Sequence, residues 1–184
     1  MYKFIFTLLI CMFGFTSQAV ATVLVNPDGS VAEPYQSWVD TARVPTVGID
    51  MPLVRSVDAC GDLDVYVCTD MAAIYVKGEN CGLAKSLWRT CRFFVLHENG
   101  HVYNGYMLPW KETTFARLAQ WPGRPWYEED LFGDSLSERF ANSYAACATG
   151  KFPSELRVSE HVSLLPPWRP GPKRFRRICR LIRA

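Results

Sequence analysis

Two of the chain's three histidines stand four residues apart in His97-Glu98-Asn99-Gly100-His101, with a glutamate directly after the first. No other feature constrains the fold as much. An α-helix stacks residues i and i+4 on one side, so it can aim both imidazoles at one point. Leu83, Leu87, Thr90, Phe94, His97 and His101 recur at intervals of three or four, the pattern of a helix with one inward stripe. The period predicts a helix opening near Leu83, and Asn104-Gly105 is a helix stop. The histidines therefore fall in its last two turns, behind an apolar run from Phe93 to Leu96. Gly100 removes a side chain where this helix must lie close to another element.

H-E-x-x-H on a helix is a zinc-site pattern: the imidazoles take the metal, and the glutamate is placed to accept a proton from a metal-activated water. A catalytic zinc needs a third protein ligand and one open position. Glu138 is the leading candidate. It lies in SLSERFANSYAACATG, in the first turn of a helix read over 135 to 150 with Phe140, Ala141, Tyr144 and Ala145 on one face. Asn142 follows one turn later, where a polar group can steady a ligating histidine. His161 and Asp134 are the alternatives for the third ligand. Glu138 also has a purely structural reading, since Ser135 or Ser137 with Glu138 is a helix-capping pattern. Tyr103, Tyr106, Tyr127, Tyr144 and Arg139 are the available donors for charge developing in a transition state.

The N-terminus reads as an export signal. Lys3 precedes an uncharged apolar run from Phe4 to Phe15, and Ala19-Val20-Ala21 supplies the small-x-small cleavage pattern. The run is too short to span a bilayer, so residues 1–21 are expected to be removed and 22–184 to form one exported domain, secreted or periplasmic, without stable membrane insertion. Loss of Lys3 leaves 19 basic against 18 acidic residues, a balance that argues against nucleic acid as a partner. Six cysteines remain after Cys11: Cys60, Cys68, Cys81, Cys91, Cys147 and Cys179. An even count in an exported chain favours disulfides. Six cysteines allow fifteen pairings and the sequence does not choose among them; Cys60 with Cys68, Cys147 with Cys179, and by elimination Cys81 with Cys91 is one such set. A cysteine-bound zinc would need a C-x-x-C pair, and the chain has none.

Elsewhere the signals are weaker. Residues 22 to 57 show no helical period and read as an extended surface segment, with a strand near Val23 to Val25. Residues 63 to 67 alternate and 73 to 77 are β-rich, which predicts two strands of a small sheet. Residues 111 to 120 predict a helix with Phe115, Leu118 and Ala119 inward. The tail from about 167 to 184 carries Arg169, Lys173, Arg174, Arg176, Arg177, Arg180 and Arg183 with no acid. It reads as a solvated or disulfide-tethered extension, with contact to an anionic surface as the alternative.

HENGH followed by ERFANSYA resembles the secreted zinc metallopeptidases of the zincin superfamily, and within them the group whose third ligand is a glutamate on a later helix. It is also similar to small bacterial zincin-like domains with a late E-x-F-A-x-x-[YF]-A element. The resemblance covers residues from about 60 to 150 and is specific only in the two helices. It implies that His97, His101 and Glu138 hold one zinc, that Glu98 is the catalytic base and that Asn142 stands behind a ligand. Asn142 departs from the more usual aspartate, and no glycine and third histidine follow His101 as they do in metzincins. The implied fold is α+β: a minimal, disulfide-stabilised zincin-like domain with a small sheet on the H-E-x-x-H helix and a second ligand-bearing helix. The implied activity is hydrolysis of a peptide or protein substrate, held in extended form along the strand near Ala73 to Lys77. Two other readings stand beside it: a zinc-stabilised binding module without catalysis, and a small disulfide-rich secreted protein whose histidines are incidental.

Overall fold

A computed structural model of the 184-residue chain describes residues 23–25, 30, 31, 33, 35–47, 50–55, 66–69, 74–77, 85–128, 134–153, 156–157, 163–164 and 168–184. Helices make up most of it, and the strands are short. In chain order the elements are β1 (Val23–Val25), α1 (Tyr35–Asp40), β2 (Asp50–Arg55), β3 (Tyr66–Thr69), β4 (Ile74–Lys77), α2 (Lys85–Gly105), α3 (Pro109–Leu118), α4 (Leu136–Thr149), β5 (Leu156–Arg157), β6 (Ser163–Leu164) and α5 (Pro172–Arg183).

The histidine motif lies near the C-terminal end of α2, which stops at Gly105, so the period read from the sequence locates this helix to within a turn. The partner that packs most closely on it is α4. Every residue of α4 from Leu136 to Ala148 is buried except Glu138. A helix buried all round is a central one, and the buried set of α4 reaches well beyond the residues 140, 141, 144 and 145 expected on one face. Phe93 and Leu96 of α2, Phe115 of α3 and Ile178 and Ile182 of α5 form one core with Phe140 and Tyr144 of α4. Phe115 meets Phe140 edge-on at 5.1 Å, an arrangement that aromatic rings favour over face-to-face stacking.

The ends of α4 follow local chemistry. Ser135 is its N-cap and accepts a hydrogen bond from the Glu138 backbone N–H at 3.1 Å. At the other end Gly150 adopts φ 86°, the left-handed conformation that closes a helix and that glycine takes without penalty.

Four strands pair in the order β1-β2-β4-β3. β1 and β2 are parallel, β2 and β4 are parallel, and β4 and β3 are antiparallel with Val67 opposite Val76. β3 lies against α2. Four expectations change here. The strand read at 63 to 67 is observed at Tyr66–Thr69, its first three positions lying outside the described residues. β4 is an inner strand with a neighbour on each side, so its edge cannot receive an extended substrate. The segment 22 to 57 contains the short helix α1 and the strand β2, besides the β1 that was expected. Gln36 of α1 explains part of this, because its side-chain carbonyl accepts the Leu24 N–H at 2.7 Å and supports β1 from outside the ladder.

The fourth change concerns the basic tail. Residues 172 to 183 form a regular helix, not a solvated extension: Pro172 stands at its start, and Ile178, Cys179, Leu181 and Ile182 are buried. A disulfide joins Cys147, at the end of α4, to Cys179 of α5 across 32 residues, as expected. The pairings expected for Cys60, Cys68, Cys81 and Cys91 lie outside the described residues and side chains, as does the export signal. No helix among the described residues is long and apolar enough to cross a membrane.

Closing a loop of that length removes unfolded-state entropy worth about 3 to 4 kcal/mol. The double variant Cys147→Ala/Cys179→Ala should therefore lose stability of that order, read as a lower urea midpoint. An unchanged midpoint would show that α5 is held by its apolar face alone.

Candidate metal centre

Helix α2 presents His97 and His101 on one side, and α4 presents Glu138 to both. The two Nε2 atoms are 3.1 Å apart. Glu138 Oε2 is 3.2 Å from His97 Nε2, and its Oε1 is 3.0 Å from His101 Nε2. The three residues offer ligand atoms that all lie within 4.8 Å of one another, and they can hold a metal ion.

This convergence depends on a close helix crossing. A Cβ built on Gly100 would stand 3.0 Å from the Ala141 Cα and 3.1 Å from the Tyr144 Cβ. The first of these is backbone, so a side chain at position 100 would push α2 off α4 and carry the histidines away from Glu138. The expectation that Gly100 marks a close approach holds, and the element approached is the helix that carries Glu138.

The remaining ring nitrogens are also engaged. His97 Nδ1 lies 3.2 Å from Asn142 Oδ1. An amide oxygen only accepts, so the imidazole donates Nδ1–H and its Nε2 is left with a bare lone pair. His101 Nδ1 lies 3.1 Å from Ser137 Oγ, and donation there leaves its Nε2 equally bare. Burial lowers the pKa of His97 more than the neighbouring Glu138 raises it, so the neutral, ligating form is favoured. Burial alone would raise Glu138, but the hydrogen bonds that His101 and then His97 donate when their Nε2 carries a proton outweigh it and hold the carboxyl well below the usual range. Two bare nitrogens and a carboxylate facing one another repel, and a cation among them reverses the sign. Tetrahedral ligands at about 2.0–2.1 Å from zinc lie about 3.3 Å apart, close to the 3.0 to 3.2 Å separations here. The donor set fits a divalent metal. Glu138 keeps 34 % exposure of its side chain, so the cluster is reachable from solvent.

Glu98 is buried beside this group. Its burial, and secondarily the negative charge of Glu138, raise its pKa well above the ordinary value. It follows His97 directly in the chain and is not one of the three converging members.

No known protein family, curated protein or solved structure matches this chain. Its chemistry has to be read from its own geometry.

That geometry sorts the sequence candidates. Asp134 is not a ligand here: its Oδ2 accepts from Arg139 Nη2 at 2.6 Å and Nε at 2.8 Å, a buried forked pair. Arg139 is committed as well, since its guanidinium also donates to the Ala119 carbonyl and lies 3.5 Å above the Trp121 ring. It pins the 121–128 segment to α4 and does not face the cluster. Tyr144 donates its hydroxyl to the Pro45 carbonyl at 2.7 Å. Tyr103 accepts from Lys111 Nζ, and Tyr127 accepts from Asn104 Nδ2 at 3.4 Å. Tyr106 and Tyr127 are exposed. His161 lies outside the described residues.

Ser137 is the contact that sequence reasoning missed, having been read only as a cap. A signal was present: Ser137, Glu138 and Asn142 share one side of a helix, bracketing the carboxylate with two groups able to meet imidazole N–H.

Proposed function

We propose that this chain is a zinc-dependent hydrolase of peptide bonds, with His97, His101 and Glu138 as zinc ligands and Glu98 as general base. One observation carries the reading: three ligand atoms converge while a second acidic group, Glu98, next in the chain to His97, is buried without joining them. A site that only stabilised the fold would have no use for that carboxyl, which costs free energy to bury. Zinc suits the donor set, imidazole with carboxylate and no sulfur. Bound there, it would supply the Lewis acidity that brings the pKa of a water to about 7.

The chain's own residues account for the rest. Asn142 fixes His97 in the tautomer that offers Nε2, and Ser137 can accept the Nδ1–H of His101 to the same effect. Glu98 accepts the proton of the attacking water and returns it to the leaving amine, the usual double role of a general base. Its burial keeps bulk water from competing for that proton. The exposed side of Glu138 is the side from which substrate enters. Among the described residues the free sheet edge next to α2 belongs to β3 and not β4, and an extended peptide would pair with β3.

Purified protein should hold about one zinc per chain. It should cleave a peptide library, lose that activity to a chelator, and regain it when zinc is returned. Stoichiometric zinc without cleavage of any peptide would leave a zinc-stabilised binding module as the function. Asn142→Ala provides a finer check. Groups behind a ligand are typically worth 10- to 100-fold in metal affinity, so competition with a chelator should show a loss in that range. Unchanged affinity would mean that Asn142 packs against His97 without orienting it.

A further inference from the structure

We propose that the outward face of α5 docks the protein on anionic lipid bilayers. Seven of the chain's 20 basic residues fall between Arg169 and Arg183, and no acidic residue occurs after Glu160. The remainder then carries 13 basic against 18 acidic residues, so the near-neutral total conceals a basic end on an acidic body. A sign asymmetry of this kind is an electrostatic footprint.

α5 gathers that charge on one side. At 100° per residue, Lys173, Arg176, Arg177 and Arg180 fall within an arc of roughly 100°, opposite Ile178 and Ile182. The four cations are exposed while the two isoleucines are fully buried. Two other arginines have structural work: Arg174 donates to Gln120 Oε1 at 2.6 Å, and Arg183 donates to the carbonyls of Arg43 and Cys147. Lys173, Arg176, Arg177 and Arg180 make no ion pair among the described residues.

At the start of α5 the placement of charge opposes helix stability. The first turn of α5 has no acidic residue and carries Lys173 and Arg174 at the positive end of the helix dipole. Positions 173, 176, 177 and 180 set like charges three and four residues apart, where they repel. A helix selected only to plug the core would alternate its charges, so the missing anions must come from outside. They form a plane of phosphates rather than a nucleic acid. Among the described residues the exposed large hydrophobics are Val31, Tyr106, Leu108, Trp110 and Tyr127, none of them on α5, so the face offers no ring for a base to stack on. The four cations extend over about 10 Å along a straight helix, a shape that meets a flat anionic surface. α5 is tied through Cys179 to Cys147 at the C-terminal end of α4, whereas Glu138 lies in the first turn of α4.

Sedimentation with lipid vesicles tests this. Wild-type protein is mixed with vesicles of phosphatidylcholine alone or with about one-third phosphatidylglycerol, a mixture that gives the surface negative potential. Four near-surface cations predict binding to the anionic vesicles on the order of 10²- to 10³-fold tighter than to neutral ones at low salt. About 0.5 M sodium chloride should abolish it. The variant K173Q/R176Q/R177Q/R180Q keeps every buried residue of α5 and should keep the helical circular dichroism of wild type while binding both vesicles equally weakly. Equal binding of wild type to both vesicles, retained preference in the variant, or tighter binding to duplex DNA at the same phosphate concentration would each overturn the proposal. So would the absence of any vesicle binding.

Discussion

Glu98→Gln is expected to keep zinc and fold while losing peptide hydrolysis by at least the 10²- to 10⁴-fold typical of general acid–base catalysis. The substitution is nearly isosteric and removes only the ability to take a proton. The buried position of Glu98 makes the comparison clean, because an amide is less costly to bury than a carboxylate and no packing is lost. Glu138 also repels a negative charge at position 98, so the variant should be at least as stable as wild type in the absence of metal. Metal content by elemental analysis and kcat on the same preparation decide the matter. If activity falls because zinc is lost, Glu98 belongs among the ligands. If activity is unchanged, another group takes the proton and the reading of the site fails.

Glu138→Gln and His101→Ala should fail in the opposite order, metal first. Each removes one of the three converging donors. A catalytic zinc site with three protein ligands has none to spare, so His101→Ala should bring zinc content at equilibrium close to zero. Glu138→Gln replaces a charged oxygen by a neutral one and should weaken zinc binding substantially without abolishing it. Excess zinc should then restore part of its activity, while adding nothing to Glu98→Gln. Zinc bound by Glu138→Gln as tightly as by wild type would remove Glu138 from the ligand set and send the search to His161. Asp134 is no longer a candidate for that place, because Arg139 occupies its carboxylate.

The parts of the site legible in the sequence are those set by helical period within one element. His97 and His101 needed only a spacing of four, and α2 supplies it. Asn142 one turn after Glu138 is a relation of the same kind, internal to α4. Gly100 announced a close contact because an absent side chain can be read without knowing what fills the space. The inner position of β4 was not legible, because strand order arises from pairings between segments far apart in the chain. The helix α5 was hidden by its own charge. Seven basic residues masked the apolar spacing of Phe175, Ile178 and Ile182, which pack against Phe152 and the core of earlier helices, segments far back in the chain.

The choice between Asp134 and Glu138 shows where local pattern stops. Both are acidic, four residues apart at the start of the same helix, and either can serve a helix N-terminus. Folding gives Asp134 to Arg139, whose guanidinium is itself clamped by Trp121 and the Ala119 carbonyl. Glu138 receives only a backbone cap from Ser135, which leaves its carboxylate to face the two imidazoles. Local pattern was enough for the motif helix, the paired histidines and a carboxylate-bearing helix able to answer them. Which carboxylate answers, and which serine and asparagine hold the rings, depended on the crossing of α2 over α4 at Gly100, because ligand geometry is a property of distances across the core.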